Sequence, residues 1–136
     1  MRVIVCIDDL GGMMFNNRRQ SRDRVLIEDV IRMTDGSRLY IDDYSRTLFA
    51  DFEGRYTVEP NMLTVASDND FCFVENKRLG ESIDNISEIV LYRWNRKYPS
   101  DLKLDIDLAA EGFSSVEVSE FAGYSHDKIT KEVFRR

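Results

Sequence analysis

Phe71-Cys-Phe-Val74 is a short unbroken apolar run, and Glu88-Ile-Val-Leu-Tyr-Arg-Trp94, apolar from Ile89 to Tyr92, is the clearest strand of the second half. Neither alternates apolar with polar residues as a half-solvated strand does, so both read as strands covered on two faces. The polar stretch between them, Glu75 to Ile83, reads as a loop leading into a turn of helix. Arg2-Val-Ile-Val-Cys-Ile7 is a third run of the same kind, closed by Asp8-Asp9 and Gly11-Gly12. Buried strands joined by helical connections predict a mostly parallel sheet.

The remaining elements follow from these three. Met13, Met14 and Phe15 are apolar but fall in a connection, so they are expected to fold back over the core; Asn16 to Gln20 is polar and without period. Ser21 is placed to cap a helix whose stripe is Val25, Leu26, Val30, Ile31 and Met33, ending at Asp35-Gly36. Arg38 to Ile41 predicts a strand. A helical turn opened by Asp43 or Ser45 carries Leu48, Phe49 and Phe52, and Arg55 to Glu59 predicts another strand before Pro60. Met62 to Ala66 is too short to assign. Val116 to Phe121 and Lys128 to Phe134 alternate around the Gly123–Asp127 connection, which predicts an antiparallel hairpin. The expected fold class is α/β: one domain over residues 1–136, a mostly parallel sheet with helices on its faces, and an antiparallel C-terminal hairpin.

Composition narrows function by exclusion. The 136 residues are 43% apolar and 32% charged with a formal net charge of −6, which is globular and argues against bulk attraction to nucleic acid or anionic lipid. Arg18, Arg19, Arg22 and Arg24 are the local basic run through which nucleic acid could still be contacted. No apolar run reaches the roughly 20 residues of a membrane span. Cys6 and Cys72 each sit in an apolar run, as thiols packed in a reducing compartment do, so a cytoplasmic location is expected. The single histidine, His126, cannot build a zinc site, and no metal or other cofactor motif is present.

The element order, with the hairpin last, resembles dihydrofolate reductase. The carrying segments are Phe71 to Ile83 followed by Ile89 to Trp94, Leu39 to Ser45, and the closing stretch Asp101 to Arg136. The resemblance implies that family's fold. It also marks where coenzyme chemistry is missing. Members of the family cradle a dinucleotide on glycines after the strand that here is Phe71–Val74, because bare backbone alone approaches a diphosphate closely. This chain has Glu75-Asn76-Lys77 there. The family's Gly-Arg-x-Thr segment reads Asp42-Asp43-Tyr44-Ser45, and the substrate-binding carboxylate of the first helix falls near Leu26, with Asp23 and Glu28 off register. The expectation is a reductase scaffold without reductase activity. The chain is also similar to short bacterial proteins that carry the name ribonuclease Z, through Met13 to Ser21, Trp94 to Pro99 and Tyr124 to Val133. That enzyme's histidine-rich zinc motif cannot be assembled from one histidine.

These three polar runs fall in three connections that the resemblance brings to one edge. The candidate binding residues are Asn16, Asn17, Arg18, Arg19, Asn76, Trp94, Arg96 and His126, suited to a small anionic or nucleotide-like ligand or to a protein partner. Trp94 with Tyr92 and Tyr98 reads as packing or as a stacking platform. His126 reads as a solvated hairpin tip or, oriented by the adjacent Asp127, as a general acid–base, and Glu75 is the other catalytic candidate. The alternative is a metal-independent nuclease or phosphodiesterase using Arg18, Arg19, Glu75 and His126. In the structural alternative, the same Asn and Arg side chains tie the loops to one another.

Overall fold

The β-branched run at the N-terminus forms β1 (Arg2–Ile7) in a computed structural model that describes residues 1–136. The other strands are β2 (Gly12–Phe15), β3 (Arg18–Arg19), β4 (Leu39–Ile41), β5 (Thr57–Val58), β6 (Phe71–Phe73), β7 (Glu88–Arg93), β8 (Leu102–Lys103), β9 (Ser114–Phe121) and β10 (Ile129–Arg135). A seven-stranded sheet has the order β5-β4-β6-β1-β7-β10-β9. Its first five strands run parallel, and β10 and β9 complete it as an antiparallel hairpin. β1 thus lies between β6 and β7, as its unbroken apolar sequence demands.

Alternation along β1 divides the core. Val3, Val5 and Ile7 face one side with Met13, Met14, Val74, Leu79, Ile89 and Leu91. Ile4 faces the other side with Leu26, Ile27, Val30, Ile31, Phe49, Phe73, Val90 and Trp94. Burial of each such Leu, Ile or Phe contributes roughly 1.5–3 kcal/mol. The second face is covered by α1 (Arg24–Met33), which buries Leu26, Val30 and Ile31 of the predicted stripe together with Ile27 and Asp29, while Val25 and Met33 are only half-buried. Its cap is Asp23, whose side chain accepts from the Val25 N–H, and not Ser21. α1 is also pinned through Asp29, which accepts from the Tyr92 hydroxyl at 2.6 Å and pairs with Lys131 at 3.0 Å. Burial and the Asp29 charge push the Tyr92 hydroxyl well above the usual phenol range. Asp43–Phe52 is a 3₁₀ segment kinked at Phe49; Met62–Val65 is one helical turn; Gly80–Asn85 is a second 3₁₀ segment. No helix is long and apolar enough to cross a membrane.

The connection after β1 departs from expectation. Gly12–Phe15 and Arg18–Arg19 form a tight hairpin, and β8 pairs with β2 to make a three-stranded antiparallel sheet. Phe15 pairs with Arg18, leaving Asn16 and Asn17 as a two-residue loop with φ of 56° and 60°. Two consecutive positive φ values are the requirement of a type I′ turn, which Asn tolerates and β-branched residues do not. A period-2 pattern cannot be seen in strands this short, which is why the segment reads as irregular. Asn17→Val is expected to lower stability by roughly 1–2 kcal/mol and Asn17→Gly to leave it unchanged or higher, measured by urea denaturation.

Candidate functional site

The carboxyl ends of β1, β6 and β7 open into a narrow cleft under the N-terminus of α1. Cys6, Phe73, Glu75, Trp94, Leu26 and Ser21 are among its walls, with interior room for about one water molecule. It continues into an open groove of about 180 Å³ between α1 and the Asp43–Phe52 segment, where Arg22, Arg24, Thr47 and Asp51 stand. Open α/β sheets place ligands at this end of their strands.

Two side-chain constellations occupy this end. The first is centred on Asp23, which carries no solvent-exposed side-chain surface. Its carboxylate accepts from the N–H groups of Val25, Tyr124 and Ser125, each at 2.9 Å, and from His126 Nδ1 at 2.9 Å. Burial opposes its ionisation, but the N–H of Tyr124, the His126 ring and the N–H groups of Ser125 and Val25 outweigh that and hold the carboxyl well below the usual range. An ionised Asp23 only accepts, so Nδ1 carries the proton. Nε2 then faces Ser21 Oγ at 2.9 Å and the Tyr98 hydroxyl at 3.3 Å. Trp94 stacks on the imidazole at 4.6 Å between centroids and 26° between planes. His126 is 4% exposed, so its ring is buried and not solvated, although Tyr124, Ser125, Asp127 and Lys128 around it are exposed. Gly123 makes the closure possible: a Cβ there would lie 2.5 Å from Asp23 Oδ2.

The second constellation is centred on Glu75, just past β6. Its carboxylate grips Arg19 in a two-point fork, Nε at 2.8 Å and Nη2 at 3.1 Å, and accepts from Ser45 Oγ at 2.7 Å. Tyr44 closes the group, accepting from the Arg19 N–H and lying under the guanidinium. Burial works against the Arg19 charge, but Glu75 outweighs it and holds the guanidinium above its ordinary value. Beside it Asn76 donates to Asp42 at 3.2 Å, and Lys77 approaches Asp42 at 3.7 Å. The N–H groups of Leu79 and Gly80, at the next helical turn, are taken by Asp105 at 2.8 and 3.0 Å.

The three polar runs do converge. Asp101 N–H donates to the Met14 carbonyl, Gln20 reaches the Pro99 carbonyl, and His126 reaches Ser21 and Tyr98. The predicted residues nevertheless have separate positions. Asn16 and Asn17 make the hairpin turn, with the Asn16 N–H on Asp101. Arg18 and Arg96 are exposed and make no ion pair, whereas Arg19 and Glu75 are bound to each other. Asn76 lies at the Asp42 rim, and Trp94 and His126 share the first constellation. Asp8, the other carboxylate at the end of β1, is saturated by the N–H groups of Leu10, Gly12 and Tyr98. Sequence reasoning missed Ser21 and Asp23 as site residues; Tyr98 it offered only as part of an aromatic platform with Trp94. Asp23 and Ser21 stand about 100 positions from His126, and no local spacing reveals a pair so distant.

A scan against protein-family models gives no match, and no curated protein matches in sequence. Among solved structures, the chain is similar to dihydrofolate reductase from Enterococcus faecalis, described as complexed with NADP(H) and RAB-propyl. The likeness has a TM-score of 0.68 at 9% identity and covers 99% of this chain and 95% of the other. This chain therefore has a dihydrofolate-reductase-like fold.

Acid titration tests the first constellation. Asp23 has a folded pKa below its unfolded value near 4, so its contribution is present above that value and is lost as pH falls through it. Asp23→Asn is expected to flatten the loss of stability between about pH 5 and pH 2, read from urea denaturation at each pH. For the second, Glu75→Ala leaves a largely buried guanidinium unpaired and is expected to cost roughly 3 kcal/mol. Adding Arg19→Met to that variant should recover part of the loss in the same measurement.

Proposed function

We propose that this chain binds a small anionic ligand in the cleft of its reductase-like scaffold and uses no nicotinamide dinucleotide. The supporting observation is the Glu75–Arg19–Ser45 cluster, which fills with a carboxylate and its partners the place where the resembled family keeps bare glycine backbone. A diphosphate brought there would meet the Glu75 charge and would have to displace a two-point ion pair. Asp105 on the N–H groups of Leu79 and Gly80 adds a second built-in anion at the neighbouring helical turn.

Anion binding rests on the cations left over. Arg22 lines both the cleft and the groove that continues it and makes no ion pair, and Arg18 is likewise free on the flanking hairpin. Guanidinium groups recognise carboxylate or phosphate through paired donors. Phosphodiester cleavage by Arg18, Arg19, Glu75 and His126 has less support, because Arg19 and Glu75 neutralise one another. The free thiols Cys6 and Cys72 fit a reducing compartment such as the cytoplasm.

Thermal unfolding separates these readings. NADPH is expected to leave the melting temperature unchanged. Within a panel of phosphate, citrate and AMP, an anion at about 100 times its Kd should stabilise by roughly 2.7 kcal/mol, a rise of several degrees, and Arg22→Glu should abolish it. A clear NADPH response overturns the coenzyme argument, and a panel without any response overturns the anion argument.

A further inference from the structure

Asp23, His126 and Ser21 form a directional chain: carboxylate to Nδ1 at 2.9 Å, and Nε2 to a hydroxyl at 2.9 Å. We propose that Ser21 is the nucleophile of a hydrolytic acyl-transfer site, with His126 as its general base and Asp23 as the positioning residue, acting on small carboxylic esters that carry an anionic group. The proposal rests on the anion-binding reading of the same cleft and names its substrate class.

The chemistry needs a hydroxyl within hydrogen-bond reach of a base and a third group that fixes the base's tautomer. All three are present, and two of them are sealed from solvent: the side chains of His126 and Asp23 are 2% and 0% exposed. The Trp94 ring against the imidazole and the Tyr98 hydroxyl beside Nε2 hold the base in place. Ser21 is the half-buried member and lines the cleft. The main-chain N–H groups of Ser21, Arg22 and Arg24 find no partner within the chain, and in this proposal they are assigned as the donors for a developing oxyanion. Because the cleft interior is only water-sized, the scissile carbonyl enters at its mouth. The rest of the molecule lies in the groove beyond, with its anionic group at Arg22.

In the first step the Ser21 hydroxyl proton passes to His126 Nε2 as Oγ bonds to the ester carbon. The carbon–alkoxide bond then breaks, and the departing alcohol takes that proton. In the second step water gives a proton to Nε2 and attacks the acyl carbon. The carboxylic acid leaves, and Ser21 Oγ recovers its proton. The sum is ester plus water to acid plus alcohol, with no oxidant, reductant or metal required.

The test uses the full chain with a fluorophosphonate probe, followed by peptide mapping, and with 4-nitrophenyl acetate and 4-nitrophenyl hydrogen succinate as esters. The expected result is a single phosphonyl adduct on Ser21 and faster turnover of the succinate ester. Ser21→Ala should lose both while melting within about 2 °C of the parent chain. His126→Gln should slow labelling by about 100-fold and remove its rise with pH. If His126→Gln does not fold, the adduct position and Ser21→Ala still decide. No adduct on folded protein, an adduct at another residue, or undiminished hydrolysis by Ser21→Ala overturns the proposal. Anion stabilisation that depends on Arg22 but comes without an adduct leaves the binding reading standing and sinks the catalytic one. An adduct on Ser21 without anion stabilisation does the reverse.

Discussion

The carboxylate of Asp23 is buried completely, and it collects the N–H of Val25 in its own helix together with the N–H groups of Tyr124 and Ser125 and the ring of His126. One side chain therefore joins the start of α1 to the far end of the chain. A buried, ionised carboxylate is costly unless its oxygens are satisfied, and the donors that satisfy it are those that close the last hairpin over the cleft. The position of His126, its stacking on Trp94, the hydroxyl of Ser21 beside it and the absence of a Cβ at Gly123 all follow from that demand.

The same end of the sheet shows how a scaffold and its chemistry separate. A reductase-like sheet supplies three strand ends around a cleft, and nothing in that geometry requires a dinucleotide. Here Glu75 places a negative charge at the rim beyond β6, and Arg19 and Ser45 are the partners that make this tolerable. Arg18 and Arg22 make no ion pair, and Arg22 lines the groove that continues the cleft.

The elements with strong apolar patterns were legible before any coordinates. β1, β6 and β7, the helix α1 and the C-terminal hairpin lie where their sequences place them, while Ile27, Met62, Leu79, Ile86 and Phe113 join the buried core without having been picked out by any pattern. The β2–β3 hairpin was not legible, because strands this short show no period and the turn is written in two Asn residues whose positive φ values are conformational facts. His126 was misread for a related reason. A polar residue between two strands is solvated by default, and its burial depends on Asp23 and Trp94, which lie far away in sequence.

The sequence by itself determined which strands are buried, which helix covers them, and that a carboxylate and an amide stand past β6, since each of these depends on residue type and local spacing. Only the tertiary structure decided that Glu75 closes on Arg19 and that Ser21, Asp23 and His126 share a single hydrogen-bonded chain. The reason is range: hydrophobic periodicity acts over a few residues, whereas a hydrogen bond between positions 23 and 126 exists only after the sheet has brought both to one end.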